Sequence, residues 1–567
     1  MKTLLNFFIA SLLVALPLAA EQGVDGKIEI GVFDSNESGE QSVVNEYRTS
    51  SGGILNIDAS TSSDTATFSL VTRLLNADDQ KHELRLDISR VFRLTTDYES
   101  LLHRTGHDPM TNLEAVTRTA RAVYATDDDP GKEYEVEYSE FRNRAEIQSP
   151  GLSALTVAIL WDAHNREGAR QAYTISHCDG CHVQSRSHRL DEKTEDIGSE
   201  LKLALDRVIV TGAFVSREHT QGVPALTNLY DSELQPELRT PLFEDRLQYD
   251  ASEGPLPHDL MPDIDKDTYR FEVDLPDVAG FTLHGGGIFA TTANTTTGLE
   301  SDYSGYTVNA SRRFGKWMMR WRGRMYEIEN DAAWVDTNDR VGVAGPWKGF
   351  RYKDKVPIET DFIRYSGLDR STSESAFDVS RKLGRQAGTL RFTWNYQAID
   401  RDFYQVAVGE TETTSNVLGV SWTARPAKGV RTEVRFEHGD VENPFMLIDG
   451  ACSTLVSGSY PSVFVPGQPQ YADVHESRVA DTTASPDAWD EIYLLGSYST
   501  TKMSITANYR QWDGENSSGD LTDWGRTSNN ATVMLTWMPA ESWSWYTGYA
   551  WQASELKSGA CIPLLDG

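Results

Sequence analysis

Cys178-Asp179-Gly180-Cys181-His182 is the one stretch of this chain whose residue types and spacing point to a definite chemistry. C-x-x-C-H is the attachment signature of c-type haem. Two thiols add across the two vinyl groups, and the adjoining imidazole reaches the iron as an axial ligand. Cys178, Cys181 and His182 are therefore the candidate cofactor-binding residues, with His182 the iron ligand of a single haem c. Other chemistries share these residue types. The cysteines could form a redox dithiol or a disulfide, and with His177 and His188 they could make a Cys2His2-like zinc site. For a sixth haem ligand the candidates are His177, His188, His164 and His219, with Met261 more remote.

Other clusters are weaker. Asp263-Ile264-Asp265-Lys266-Asp267, with Asp274 at the twelfth position, has the start of a calcium-loop pattern, but Thr268 stands where that loop needs glycine. Gly285-Gly286-Gly287 lies inside a strand pattern and is expected to relieve crowding in a sheet. Cys452 and Cys561 could pair in an oxidising compartment. No Ser-His-Asp or paired-carboxylate arrangement stands out, so no catalytic residue is assigned and the chain is not expected to be an enzyme.

The elements that hold these residues follow from the rest of the sequence. Met1-Lys2, an apolar run from Leu4 to Leu18, and Ala19-Ala20 form a secretory signal peptide over 1–20. With 53 basic against 84 acidic residues the chain is strongly acidic, which argues against a nucleic-acid partner. Asp127-Asp128-Asp129, Glu244 to Asp267 and Asp473 to Asp490 read as solvated loop tips.

Period-two alternation recurs along the chain, in segments ended by Gly, Asn, Asp or Pro. It marks Lys27 to Phe33, Thr67 to Leu75, His82 to Phe92, Glu133 to Ile147 and Ala154 to Asp162. Glu200 to Arg207 and Val208 to Arg217 follow, then Tyr269 to Leu275 and Phe281 to Ala290 as a hairpin across Pro276-Asp277. From Tyr303 to Gln552 the pattern continues in pairs, many of nine to twelve residues, the length of a tilted membrane strand. Trp317, Trp321, Trp394, Tyr396, Trp537, Trp543, Trp545 and Tyr546 lie near strand ends, where aromatic rings suit a membrane boundary.

The expectation is an all-β fold: a large antiparallel transmembrane β-barrel over 21–567, with long polar loops on one side. A soluble β-sandwich array is the alternative. The motif falls in a polar stretch, 163–197, read as a loop insertion. The final Leu564-Leu565-Asp566-Gly567 does not end a strand on an aromatic, so the sequence is expected to be truncated or the strand count to differ.

Gly31-Val32-Phe33-Asp34, the Cys178-to-His182 element and the Trp/Tyr-rich strand series together resemble the MtrB/PioB type of outer-membrane barrel. The resemblance covers most of the mature chain as architecture. It departs in placing a full C-x-x-C-H far from the N-terminus. It implies a bacterial outer-membrane sheath that encloses a separate multihaem c-type cytochrome and insulates its haem chain from lipid. A barrel carrying its own single haem, and a diffusion porin with an acidic lumen, remain open beside it.

Overall fold

The computed structural model describes residues 25–34, 52–76, 79–111, 115–116, 122–177, 181–228, 255–335, 362–364, 368–401, 412–444, 486–516, 524–540 and 543–557. The segment 1–20, expected to be a signal peptide, and Cys178, Cys452 and Cys561 lie outside them.

Every element among these residues is a strand. The series opens with β1 (Asp25–Phe33), β2 (Gly52–Ser62), β3 (Ala66–Leu74), β4 (Gln80–Ile88) and β5 (Phe92–Thr105). The short β6 (Ala115–Val116) and β7 (Ala122–Asp127) precede β8 (Tyr134–Gln148), β9 (Leu155–His177), β10 (Cys181–Ala204) and β11 (Ile209–Gln221). After β12 (Leu226–Asn228) and β13 (Leu256–His258) come β14 (Ile264–Val278), β15 (Phe281–Asn294), β16 (Leu299–Phe314) and β17 (Trp317–Asn330). The rest are β18 (Ala333–Val335), β19 (Phe362–Arg364), β20 (Arg370–Gly384), β21 (Gly388–Asp400), β22 (Thr413–Ala424), β23 (Val430–Glu442), β24 (Ala488–Ser499), β25 (Met503–Asn516), β26 (Trp524–Ala540) and β27 (Trp543–Lys557).

One sheet holds 23 of them; setting aside β6 and β7, the remaining 21 form a single up-and-down antiparallel meander from β1 to β27. Connections at one end are short, such as 149–154, 205–208 and 315–316, whereas those at the other reach 222–263 and 443–487. The expected barrel wall, with long connections on one side, is what the chain builds.

Alternation sorts the wall into two faces. Across five strands Val379, Phe392, Val420, Phe436 and Ile492 stand opposite one another. One residue away, Ser380, Arg391, Ser421, Arg435, Tyr493 and Arg510 form the matching polar row. Directly opposed residues share a face, so the first row is an apolar belt and the second a polar lining. Large apolar side chains on the belt are open to their surroundings, among them Ile159, Tyr269, Tyr306, Trp321, Leu418 and Trp537. This is the inverse of a soluble core and is how a wall meets lipid. The sector of β4, β5 and β8 differs: Leu84, Thr96, Asn143 and Phe141 on the same face are buried, and Asn143 Nδ2 donates to Thr96 Oγ1 at 2.8 Å.

Several expectations shift in detail. His82 to Phe92 is two strands, because Ser89 and Arg90 turn the chain with φ of 54° and 59° without any glycine or proline. The turn expected at Pro276-Asp277 falls instead at Ala279-Gly280, with φ of 54° and 79°. The stretch 163–197 is not a loop insertion: β9 continues to His177 and β10 starts at Cys181, as one hairpin. Its alternation is hidden because beyond the membrane neither face has to be apolar. Asp263 to Asp267 leads into a continuous strand rather than a calcium loop, with Asp265 and Asp267 on one face and Asp274 on the other. At Gly287 a Cβ would collide with the Phe271 ring, and at Gly286 with the Phe271 carbonyl oxygen 2.9 Å away, so the triple glycine does relieve crowding.

The two-face assignment is tested by neighbours on β22. Leu418 belongs to the belt and Val417 to the lining. Leu418→Arg should lower the folding free energy of the barrel by about 2–4 kcal/mol, and Val417→Arg by well under half of that. Urea titration of refolding into lipid vesicles measures both. Equal costs would reverse or void the assignment.

Candidate functional site

Cys181 and His182 begin β10, which pairs with β9 as a long hairpin. Pairing runs without interruption from Leu155↔Leu203 to His177↔Cys181, leaving 178–180 as the connection. Its flanking wall strands stop earlier: β8 pairs with β9 only as far as Gly168, and β11 with β10 only as far as Glu192. Nine residues of β9, Ala169 to His177, lie past the last pair with β8. At roughly 3.3 Å per residue the hairpin outruns that edge by about 30 Å. Gly168 permits the departure, since its φ is 149° and a Cβ there would strike the Glu135 carbonyl oxygen. The hairpin projects on the side of the long connections.

Position 181 is flanked by His177 of β9 and Val123 of β7, and position 182 by Ser176 and Tyr124. The β7–β10 contact is parallel, unlike the wall pairs. The two-residue period places positions 181 and 182 on opposite faces of the hairpin.

A charged clasp holds the hairpin on both sides. On one, Asp127 Oδ2 meets His107 Nε2 at 2.6 Å and its Oδ1 accepts from Ser185 Oγ at 3.0 Å. Gln171 Nε2 donates to Ser185 Oγ and to the Asp108 carbonyl, both at 2.9 Å. Asp128 takes Arg186 Nη2 at 3.1 Å, and Asp129 takes the Ser187 amide at 2.6 Å. The acidic triplet read as a solvated tip is thus the hairpin's clamp. Burial would raise the Asp127 carboxyl, but the bonds from His107 and Ser185 outweigh it and hold it below the usual carboxylate range.

On the other side Asp259 binds His188 Nδ1 at 2.6 Å and Arg170 Nη2 at 2.5 Å. Asp259 has a φ of 55°, a conformation that Asp tolerates better than most residues. It follows directly on β13, whose partner β12 is tied to the hairpin through Asn228 Nδ2 to Gln184 Oε1 and Arg186 Nη1 to the Thr227 carbonyl, each 3.1 Å. Neither ring nitrogen of His258 has a hydrogen-bond partner. Burial, and then the neighbouring Arg186 charge, lower its pKa from the ordinary imidazole value. For Asp259, burial pulls upward and the bonds from His188 and Arg170 win, so its pKa is also lowered.

Of the other proposed haem ligands, His188 is committed to Asp259, and His219 is held between Thr194 Oγ1 at 2.8 Å and Gln221 Nε2 at 2.9 Å. His164 lies on the lining 3.7 Å from Glu140, and Met261 is 39% exposed beside β14. No group of three or more His, Cys, Asp or Glu among the described residues is arranged to hold a metal ion. His107, His258 and Asp259 were missed from the sequence. The hydrogen-bond partners of His107 and Asp259 lie 20 to 89 residues away, and no local spacing signals them.

The lowered pKa values of His258 and Asp259 make this side of the clasp less stable in acid. A lowered His258 pKa stabilises the fold above the ordinary value of about 6.5, and that contribution is lost as pH falls through the depressed value; Asp259 adds a second loss lower still. Hydrogen exchange at 226–228 and 256–258, corrected for intrinsic rates, should accelerate between pH 7 and 5, and the first part of that change should vanish in His258→Phe. Protection that is flat with pH, or unaltered in the variant, would contradict this.

No protein-family model and no curated protein matches the sequence. Solved structures similar in wall architecture include three receptors. The ferric-catecholate import receptor Fiu of E. coli K12 is 9% identical, with 89% of this chain and 80% of that chain covered and a TM-score of 0.39. The ferric enterobactin receptor PfeA of Pseudomonas aeruginosa is 8% identical, with coverages of 93% and 75% and a TM-score of 0.47. For the siderophore receptor PirA of Acinetobacter baumannii the figures are 9%, 95%, 81% and 0.44. At such identity and superposition, the ligands of those receptors do not carry over to this chain.

Proposed function

We propose that this chain is the outer-membrane sheath of an electron conduit, a barrel that encloses a separate multihaem c-type cytochrome. The observation that supports this reading is the clasped β9–β10 hairpin, which projects on the long-connection side of a polar-lined wall; the haem-attachment signature of the sequence includes Cys181 and His182 at the start of β10. In barrels of this kind the long connections face outward. A wall of more than twenty strands encloses a lumen wide enough for a protein.

Purification from a host that makes c-type cytochromes tests this. The wild-type barrel should carry a stoichiometric cytochrome, and in planar bilayers it should conduct at least roughly tenfold less than the barrel stripped of that protein, since a plugged lumen blocks ions. A barrel that purifies empty and conducts freely would make it a diffusion pore.

A second reading of the motif has its own support. C-x-x-C is equally the spacing of a redox dithiol or a disulfide. Intact mass separates the two. A gain of one haem, abolished in Cys181→Ser, marks haem c; a loss of two hydrogens that reductant reverses marks the dithiol.

A further inference from the structure

We propose that the inward face of β17 is the docking stripe for the lumen partner, and that the partner presents a carboxylate-rich protein face to it. Several inward arginines elsewhere in the wall are neutralised in place. Arg144 and Arg270 share Glu200 at 2.6 and 3.4 Å, Arg217 holds Asp196 at 2.7 Å, and Arg435 and Arg510 share Glu491 at 2.6 Å each.

β17 is different. Its inward positions Arg320, Arg322 and Arg324 are consecutive in the two-residue period and exposed. Across β16 they face Ser311, Asn309 and Thr307, which carry no charge. On β20 they face Asp378, Ala376 and Glu374. Asp378, directly opposite Arg320, gives its carboxylate to Arg391 instead. Glu374 reaches Arg324 only at 3.9 Å, while Arg324 leans over the Tyr326 ring at 4.6 Å. Among the described residues neither Arg320 nor Arg322 has an ion pair.

Stacked guanidinium groups repel, and one carboxylate between them would relieve that repulsion. The chain carries a net charge of −31 and has acids to spare, yet leaves this stripe open. From Arg320 to Arg324 the stripe runs about 14 Å along the strand. A small ion in so wide a lumen would be held from one wall only, whereas a protein face can lie along the whole stripe and engage each guanidinium in paired hydrogen bonds. The inference rests on the lumen-partner reading given above.

The test uses the full chain in detergent and a fluorescein-labelled twenty-residue poly-L-glutamate peptide, read by anisotropy at low salt. Arg320→Ser with Arg322→Ser should weaken binding on the order of tenfold, and Lys266→Ser, at an inward position on β14, by less than about twofold. Equal binding by wild type and the double variant overturns the stripe, as does an equal loss in Lys266→Ser. So does a change in chloride-over-potassium permeability with peptide binding unchanged, which would mark a small-ion filter. Stripe-dependent binding by a barrel that purifies empty supports the stripe and removes the sheath reading instead.

Discussion

The constraint behind this structure is that lipid offers no hydrogen bonds to a peptide backbone, so each strand must satisfy its amides and carbonyls on its neighbours. The wall meets it by pairing consecutive strands edge to edge through a single meander. That choice fixes much else. Successive residues must alternate between lipid and lumen, and each turn must reverse direction without losing register. Among the described residues β1 and β27 are the outer strands of the meander and run in the same direction.

Once the outer face is given over to apolar side chains, charge has to go inward or beyond the membrane. Inward it forms crosslinks between strands, as where Glu491 joins Arg435 on β23 to Arg510 on β25. Beyond the membrane it replaces the missing wall neighbours of β9 and β10. Asp127, Asp128, Asp129 and Asp259 fasten the hairpin from both sides. β17 departs from these crosslinks: its neighbouring inward residues Arg320 and Arg322 have no ion pair among the described residues.

Much of this was legible residue by residue. The alternating segments 389–400, 415–424, 503–512 and 527–538 end within four residues of the observed strand bounds, because one face must be apolar and the other polar throughout the membrane. Legibility failed where that demand lapses. β2 carries Ile54 and Leu55 side by side with few strong alternations, and the upper halves of β9 and β10 are polar on both faces. The turn at Ser89-Arg90 lacks the usual glycine. At the site, the motif itself was plain, but the clasp was not: Asp259 meets His188 across 71 residues, and an acidic triplet gives no local sign that it will bind a distant hairpin.

The most direct test of the account is spin-label accessibility along β22 in lipid vesicles, one label at a time from Thr413 to Ala424. Collisions with dissolved oxygen should peak at Asn416, Leu418, Val420 and Trp422, and collisions with a water-soluble nickel chelate at Ser415, Val417, Gly419 and Ser421. That period of two, with opposite phase for the two quenchers, is what a wall between lipid and a polar lumen requires. In-phase profiles, or a smooth profile without alternation, would contradict it.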